Sequence, residues 1–397
     1  MYDVMILRDE GMGGEALAGP IASAYTCKVR TLSEVTAEDA VDATVVVVYS
    51  ELRRSTDVDR LSAIFPPSFR ITNMIYVAPS IERAGIVQAE SIGLGRVYAP
   101  HKTVDDVRRG VREILNRELS RRLARFSRSV NKAMEVTDSF HNNVASAMRQ
   151  SKPLPLGNLR STSDAIGSAV RSEGLSTWLN AVKMHHSQTC RHVLNVAGLA
   201  VAFATHLELD AADTSLLIEA SILHDVGKLF IPIAILEKPG RLTDAERSMI
   251  NLHPGRGAEA LVHSGVEDAM LIAAARSHHE YLDGSGYPDG LGGDAITPLV
   301  RLITIIDIYS ALTEERVYRE SLTPRLAIAE LARMKTKLDQ RLFAEFRKMT
   351  LEPAFAATRK GQEPATRAPH ASLRAGLHPL DGSTFEDVRR HSSNSAA

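Results

Sequence analysis

Cysteine and net charge are both scarce in this 397-residue sequence. Its two cysteines, Cys27 and Cys190, are too few for a disulfide framework and favour a reducing compartment, so we expect a cytoplasmic protein. The 47 Lys and Arg residues are matched by 48 Asp and Glu residues, which gives a net charge of -1. Without a basic excess, the composition argues against a DNA-binding protein.

Long hydrophobic runs are also missing. The longest unbroken apolar run, residues 269–275, is much shorter than the roughly 20 residues that span a bilayer. Residues 1–10 already contain acidic side chains and have the pattern of a strand rather than of a secretory signal. We therefore expect neither a membrane segment nor secretion.

Histidine, in contrast, is concentrated in one region. Nine of the 14 histidines lie between His185 and His279. This clustering directs attention to the second half of the chain.

The N-terminal region alternates β-rich runs with helix-sized segments. The runs are residues 3–7, 27–32, 44–49, 74–77 and 96–98. Strands separated by helical segments predict a parallel sheet covered by helices on both faces, and hence an α/β domain over residues 1–122.

The order of these elements resembles a response-regulator receiver domain, in which the fifth strand leads through a Lys-Pro turn into a last helix. Here Pro100 is preceded by Ala99 instead of lysine. Tyr49 and Ser50 stand where a receiver carries its phosphate-accepting aspartate, and only Asp9 and Glu10 lie near the place of the acidic pair. We predict a degenerate receiver-like, flavodoxin-like domain without phosphoryl chemistry. A flavodoxin-like domain used only for interaction fits equally well.

The rest of the chain divides into three predicted parts. Residues 123–174 are helical and form a connector, whose charged side chains indicate either a solvated face or a homodimer contact. Residues 175–350 carry apolar stripes at helical spacing and predict an all-α bundle. Residues 351–397 lack periodicity and are predicted to be mostly disordered.

A set of metal-ligating side chains lies within the predicted bundle. Imidazole nitrogens suit Fe, Mn or Zn, and a carboxylate can bridge two ions held about 3.5 to 4 Å apart. A lone histidine is more often an ordinary core or surface residue, but here several occur together. The set comprises five imidazoles and two carboxylates: His192, His224, Asp225, His253, His278, His279 and Asp307.

The motifs around these residues resemble the HD-GYP domain, a branch of the HD phosphohydrolases. Residues 223–228 read LHDVGK, residues 253–254 read HP, and residues 278–288 read HHEYLDGSGYP. The likeness continues to Asp307 and covers roughly 170 residues. It implies an all-helical HD-GYP bundle with a metal centre that hydrolyses cyclic di-GMP through pGpG, often on to GMP.

The resemblance also implies a ligand set for two divalent ions. Asp225 would bridge the ions and, with Lys228, would be catalytic. Because the ligands are histidine and carboxylate without cysteine, Fe or Mn is favoured. One ion would be held by His192, His224, Asp225 and Asp307, and the other by Asp225, His253, His278 and His279.

Four residues are predicted to contact the substrate. Lys228 can point its ammonium at a phosphate, and the resemblance gives Arg316 and Arg319 the same role. Tyr287 would be carried to the rim of the site by a Gly- and Pro-rich loop. The alternatives are that the arginines form surface ion pairs and that Tyr287 merely packs. We interpret Glu280 as a residue that orients an imidazole.

Three departures from the family pattern affect these expectations. Gln188 replaces a glutamate that binds a third metal in some members, so we predict a binuclear site. Asn195 replaces a common arginine, and Ser310 stands where the family usually has a second aspartate. Loss of that carboxylate would loosen Lys228 or the attacking water and lower turnover.

Our leading functional hypothesis is therefore a metal-dependent cyclic di-GMP phosphodiesterase. The alternatives are a cyclic di-GMP receptor or scaffold with little turnover, and an HD hydrolase of another cyclic dinucleotide. The resemblance also suggests diguanylate cyclases or effector proteins as partners, and a second copy of the chain bound through the connector.

Overall fold

The computed structural model describes residues 2–12, 15–22, 25–80, 83–100, 102–185, 187–236, 238, 240–314, 321–351 and 373. The chain divides into two compact units, residues 1–124 with 232–238 and residues 125–231 with 239–397. No helix in these described segments is long and apolar enough to cross a membrane. The predicted disordered tail, residues 351–397, lies outside the described residues except for Leu351 and Leu373.

The first unit contains a five-stranded parallel sheet, as the sequence predicts. Numbered along the chain, its strands lie side by side in the order second, first, third, fourth and fifth, which is the flavodoxin-like arrangement of doubly wound sheets. The register pairs Val4 of the first strand with Cys27 on one side and Val45 on the other. The strands are β1 (Tyr2–Arg8), β2 (Cys27–Thr31), β3 (Ala43–Tyr49), β4 (Met74–Val77) and β5 (Arg96–Tyr98).

Helices cover both faces of this sheet. Because successive side chains of a strand point to opposite faces, Val46 and Val48 enter one core while Val45 and Val47 enter the other. The first core includes residues of the helices over 55–64 and 83–91, and the second includes residues of the helices over 15–22 and 104–123. The helices are α1 (Glu15–Ala22), α2 (Ala37–Asp42), α3 (Ser55–Ile64), α4 (Pro67–Asn73), α5 (Arg83–Ser91) and α6 (Val104–Leu123).

From Arg125 onward the described residues form helices and no β-strand. This agrees with the predicted all-α region. The helices are α7 (Arg128–Arg149), α8 (Leu159–Glu173), α9 (Leu175–Val182), α10 (Gln188–His206), α11 (Ala211–Leu223), α12 (Ile233–Leu236), α13 (Asp244–Asn251), α14 (His253–His263), α15 (Ala269–Ser277), α16 (Pro298–Thr313), α17 (Pro324–Arg333) and α18 (Gln340–Leu351). Short 3₁₀ turns cover Leu156–Asn158, Val226–Phe230, Gly293–Ala295 and Lys335–Lys337.

Helix α10 lies at the centre of the second unit and packs against α8, α9, α11 and α16. Gly198 lets α9 approach closely, since a Cβ there would lie 2.3 Å from Cδ1 of the buried Trp178. The Trp178 indole donates a hydrogen bond of 2.9 Å to the Leu194 carbonyl. Helices α7 and α8, which fall in the predicted connector, also pack within this unit. The predicted boundaries at residues 122, 174 and 350 stay predictions.

Candidate metal centre

Five helix segments bring the seven predicted ligands together. His192 lies inside α10 and Asp307 inside α16, whereas the other five stand where helices begin or end. His224 and Asp225 follow the last residue of α11, His253 begins α14, and the pair after Ser277 follows α15. All except the half-buried His279 are at most 6% exposed: His192, His224, Asp225, His253, His278 and Asp307.

Asp225 lies between two groups of imidazoles. Its Oδ2 atom is 3.5 Å from His192 Nε2 and 3.3 Å from His224 Nε2. Its Oδ1 atom is 3.2 Å from His253 Nε2 and 3.6 Å from His278 Nε2. Each carboxylate oxygen therefore faces a different pair of nitrogens, which is the arrangement a bridging carboxylate requires.

Asp307 completes the first group and approaches the second. Its Oδ1 atom is 2.9 Å from His192 Nε2 and 3.9 Å from His224 Nε2, and its Oδ2 atom is 3.9 Å from His279 Nδ1. Three overlapping sets of residues each have ligand atoms that all lie within 4.8 Å of one another. The sets are His192, His224 and Asp307; His224, Asp225 and His278; and His253, His278 and His279.

Backbone carbonyls orient three of the imidazoles. In each of these rings Nδ1 donates to a carbonyl three or four residues earlier, so that Nε2 is left with a lone pair facing the centre. The pairs are His224 to Ser221 (2.8 Å), His253 to Ile250 (2.8 Å) and His278 to Ala274 (3.0 Å).

Burial and neighbouring charges set the protonation of the cluster. Burial alone would raise the pKa of Asp225 and Asp307, but Lys228 and imidazoles around Asp225, and imidazoles around Asp307, outweigh it and hold both pKa values well below the usual range. Burial lowers the pKa of His278 to about 4, so this ring is neutral and can bind a metal. Burial also opposes protonation of His192, yet the neighbouring carboxylates of Asp307 and Glu314 raise its pKa to about 9. The two carboxylates therefore favour the protonated, positively charged form of the His192 ring.

The buried polar atoms fit a pair of divalent ions. Among the described residues, His192 Nε2, His224 Nε2 and Asp225 Oδ1 are buried without a hydrogen-bond partner. Unsatisfied buried polar atoms are costly, and coordination of a cation would satisfy all three. The donors are imidazole nitrogens and carboxylate oxygens, which suit divalent transition metals.

Lys228 lies beside the centre rather than in it. The turn after Asp225 places the Lys228 ammonium 2.5 Å from Asp225 Oδ2, while the side chain remains 22% exposed. A cation there stabilises the Asp225 charge and still reaches the solvent side. Arg316 and Arg319, predicted to bind phosphate, lie outside the described residues.

The loop after His279 is shaped by Glu280, and our interpretation of Glu280 as an imidazole-orienting residue is wrong. Its buried carboxylate instead accepts three backbone hydrogen bonds, from the N–H groups of residues 289, 290 and 291 at 2.6 to 3.1 Å. Gly286 permits the tight crossing, since a Cβ there would lie 2.4 Å from Glu280 Cα. The folded loop stacks Tyr287 on the His279 ring, with centroids 4.8 Å apart and planes at 27°.

Sequence reasoning missed Glu314, which lies against His192. This side chain is buried, and its Oε2 atom is 3.4 Å from His192 Nδ1. Glu314 follows Asp307 by seven residues, about two helical turns, so both side chains lie on one face. The seven-residue spacing from Asp307 was the signal in the sequence that could have identified Glu314.

A second group, Asp138, His185 and Cys190, also has metal-ligand chemistry. However, the Ser187 N–H donates to His185 Nδ1 at 3.1 Å, so the ring hydrogen lies on Nε2, 3.2 Å from Asp138 Oδ1. Such a ring has no lone pair left for a metal. We interpret the group as a buried hydrogen-bonded cluster and Cys190 as a packing residue.

Comparison with known proteins identifies residues 176–342 as an HD domain. The cyclic di-GMP phosphodiesterase PA4108 of Pseudomonas aeruginosa is 34% identical over 165 residues, covering 42% of this chain and 40% of that protein. The 3'3'-cGAMP-specific phosphodiesterase 3 of Vibrio cholerae is 37% identical over 161 residues, 40% of this chain and 35% of that protein. The chain thus spans less than half the length of these relatives. Among solved structures, the HDG"Y"P protein Bd1817 of Bdellovibrio bacteriovorus aligns with a TM-score of 0.46 and 20% identity, over 62% of this chain and 80% of that one.

Proposed function

We propose that residues 176–342, which match the HD domain, form an HD-GYP domain and that the protein is a metal-dependent phosphodiesterase of cyclic dinucleotides, with cyclic di-GMP as substrate. The position of Asp225 carries the proposal. Its two oxygens face two separate groups of imidazoles, as a two-ion site for phosphodiester hydrolysis needs.

We assign the seven ligands to two divalent ions, Fe or Mn, as the donor chemistry favours. One ion would be held by His192, His224, Asp225 and Asp307, and the other by Asp225, His253, His278 and His279. When bound, such a pair supplies positive charge to the phosphate oxygens and activates water.

The surrounding side chains would position the substrate. Lys228 keeps its ammonium next to Asp225 and partly exposed, so it can turn to a phosphate oxygen while stabilising the carboxylate. Tyr287, held against His279, offers an aromatic face and a hydroxyl at the rim of the centre. The assignment of Arg316 and Arg319 to phosphate binding stays a prediction, as do a homodimer through residues 123–174 and binding of cyclases or effector proteins.

Specific observations favour one other substrate and one other function. The relatives include phosphodiesterases named for 3'3'-cGAMP as well as for cyclic di-GMP, which makes 3'3'-cGAMP the second candidate substrate. The Ser310 hydroxyl is buried without a hydrogen-bond partner among the described residues, at the position where the resemblance expects a carboxylate. A receptor with little turnover is therefore the second candidate function.

The test uses the purified chain reconstituted with Fe(II) or Mn(II). We expect conversion of cyclic di-GMP to pGpG or GMP, measured by chromatography, with loss of activity after chelation. Parallel assays with 3'3'-cGAMP and cyclic di-AMP, alone and in competition, rank the substrates. Protein that holds two metal ions and binds cyclic di-GMP without forming product over hours would contradict the enzyme and support the receptor.

For the N-terminal unit we propose a receiver-like domain that does not accept phosphate. Ser50 donates a hydrogen bond of 2.6 Å to Asp9 Oδ1, and the backbone N–H of Glu51 donates one of 2.9 Å to Asp9 Oδ2. Both oxygens of this acidic side chain are thus engaged by groups at the end of β3. Incubation with radiolabelled acetyl phosphate and Mg²⁺ is expected to label the chain no more than a heat-denatured control, and stoichiometric, acid-stable but hydroxylamine-sensitive labelling would contradict this.

A further inference from the structure

We propose that Glu314 is a positioning residue for the metal centre, which rests on the two-ion site proposed above. Its carboxylate would accept the Nδ1 hydrogen of His192, hold that ring in orientation and strengthen Nε2 as a metal ligand. Carboxylate–histidine–metal contacts of this kind fix the tautomer and increase the basicity of the ligand.

His192 differs from the ligands that the backbone orients. Nδ1 of His224, His253 and His278 donates to a carbonyl oxygen at 2.8 to 3.0 Å. His192 Nδ1 has no hydrogen-bond partner among the described residues, and the nearby acceptor is Glu314 Oε2 at 3.4 Å. Its ring orientation therefore depends on a side chain instead of on its own helix.

The surroundings of Glu314 point to the same pairing. The residue is 7% exposed, and neither carboxylate oxygen has a hydrogen-bond partner within the described part of the chain. Among the lysines and arginines that the structure describes, Arg191 is nearest, with its Nε 4.0 Å from Oε1, and its guanidinium already donates to the His185 carbonyl at 2.9 Å. A buried carboxylate is stable only when it is paired, and in the described part of the chain the His192 N–H, 3.4 Å away, is placed to pair with it.

Helix α16 approaches the His192 ring from both sides. Asp307 Oδ1 lies 2.9 Å from Nε2, and Glu314 Oε2 lies 3.4 Å from Nδ1. Glu314 closes the helix, with its N–H donating 2.9 Å to the Ser310 carbonyl. When Nε2 binds a cation, the neutral ring must carry its hydrogen on Nδ1, which faces Glu314. Metal binding and the Glu314 contact therefore favour the same tautomer.

The experiment measures metal affinity of the full-length, metal-stripped protein by titrating Mn(II) against a chelating indicator, with no nucleotide present. The variants are Glu314→Gln, which keeps the size but loses the charge, and Glu314→Ala. The matched control is Glu345→Gln, which removes a carboxylate 3.2 Å from Nε2 of His206, a histidine outside the centre. We expect Glu314→Gln to lower the affinity for one of the two ions by roughly 10- to 100-fold, and Glu314→Ala to lower it at least as much. The control should bind metal with the affinity of wild type.

Two outcomes would overturn the proposal. In one, both Glu314 variants bind metal within about twofold of wild type. In the other, only Glu314→Ala is weakened and Glu314→Gln matches wild type, which would show a packing role without a role for charge. If Glu314→Ala does not fold by circular dichroism, Glu314→Gln decides alone. Weakened metal binding in a chain that hydrolyses no cyclic dinucleotide would support this inference while rejecting the proposed function.

Discussion

Replacement of Asp225 by asparagine is expected to reduce kcat/KM for cyclic di-GMP by at least about 10³-fold and to lower the metal content below two ions per chain. Asparagine keeps one oxygen but substitutes an NH₂ group for the other, so it cannot face both groups of imidazoles with a negative oxygen. It also removes the partner of the Lys228 ammonium, 2.5 Å away. Initial rates with Mn(II) and metal analysis of the same sample measure both effects.

The matched control for this substitution is Asp294→Asn. Asp294 belongs to the same unit but its side chain is fully exposed and lies 3.5 Å from Arg301, so both the rate and the metal content should match wild type. An Asp225→Asn protein that retained two ions and a rate within tenfold of wild type would exclude Asp225 as the bridge.

Replacement of Gly227 by alanine is expected to lower the free energy of unfolding by about 1–3 kcal/mol and to weaken metal binding. A Cβ at this position would lie 1.9 Å from the His253 carbonyl oxygen and 2.7 Å from the Gly257 backbone nitrogen. Both obstacles are backbone atoms, so the turn after Asp225 and the start of α14 must separate. That separation would move His253 away from Asp225. Urea unfolding of the metal-free protein and Mn(II) titration measure the two effects.

Gly255→Ala provides the control, because it lies in α14 near the same contact. A Cβ there would meet nothing closer than the Arg276 guanidinium at 3.9 Å, and alanine favours a helix by up to about 1 kcal/mol over glycine. We expect stability equal to or slightly above wild type. Equal unfolding midpoints for Gly227→Ala and Gly255→Ala would show that the close approach at Gly227 is not needed.

Most side chains of the candidate metal centre could be predicted from the sequence. The seven predicted ligands could be named because imidazoles and carboxylates stand in motifs whose spacing is specific, as in residues 223–228 and 278–288. The parallel sheet was equally accessible, since β-rich runs alternate with helix-sized segments along residues 1–122. These features depend on residue type and on separation along the chain.

Other features depend on contacts between distant segments. Glu280 was interpreted as orienting an imidazole, but the loop folds back and three backbone N–H groups donate to its carboxylate instead. Glu314 stood outside the motifs, and only the packing of α16 on α10 brings it to His192.

By itself, the sequence identified the predicted ligands, the motifs and the alternation of strands and helices, because each depends on residue identity and local periodicity. The tertiary structure alone decided that each oxygen of Asp225 faces a different pair of imidazoles and that Glu314 lies beside His192. These contacts join residues that are up to 122 positions apart in the chain and about 3 Å apart in the structure. The packing of α10, α11, α14, α15 and α16 sets such distances, and no local sequence pattern encodes them.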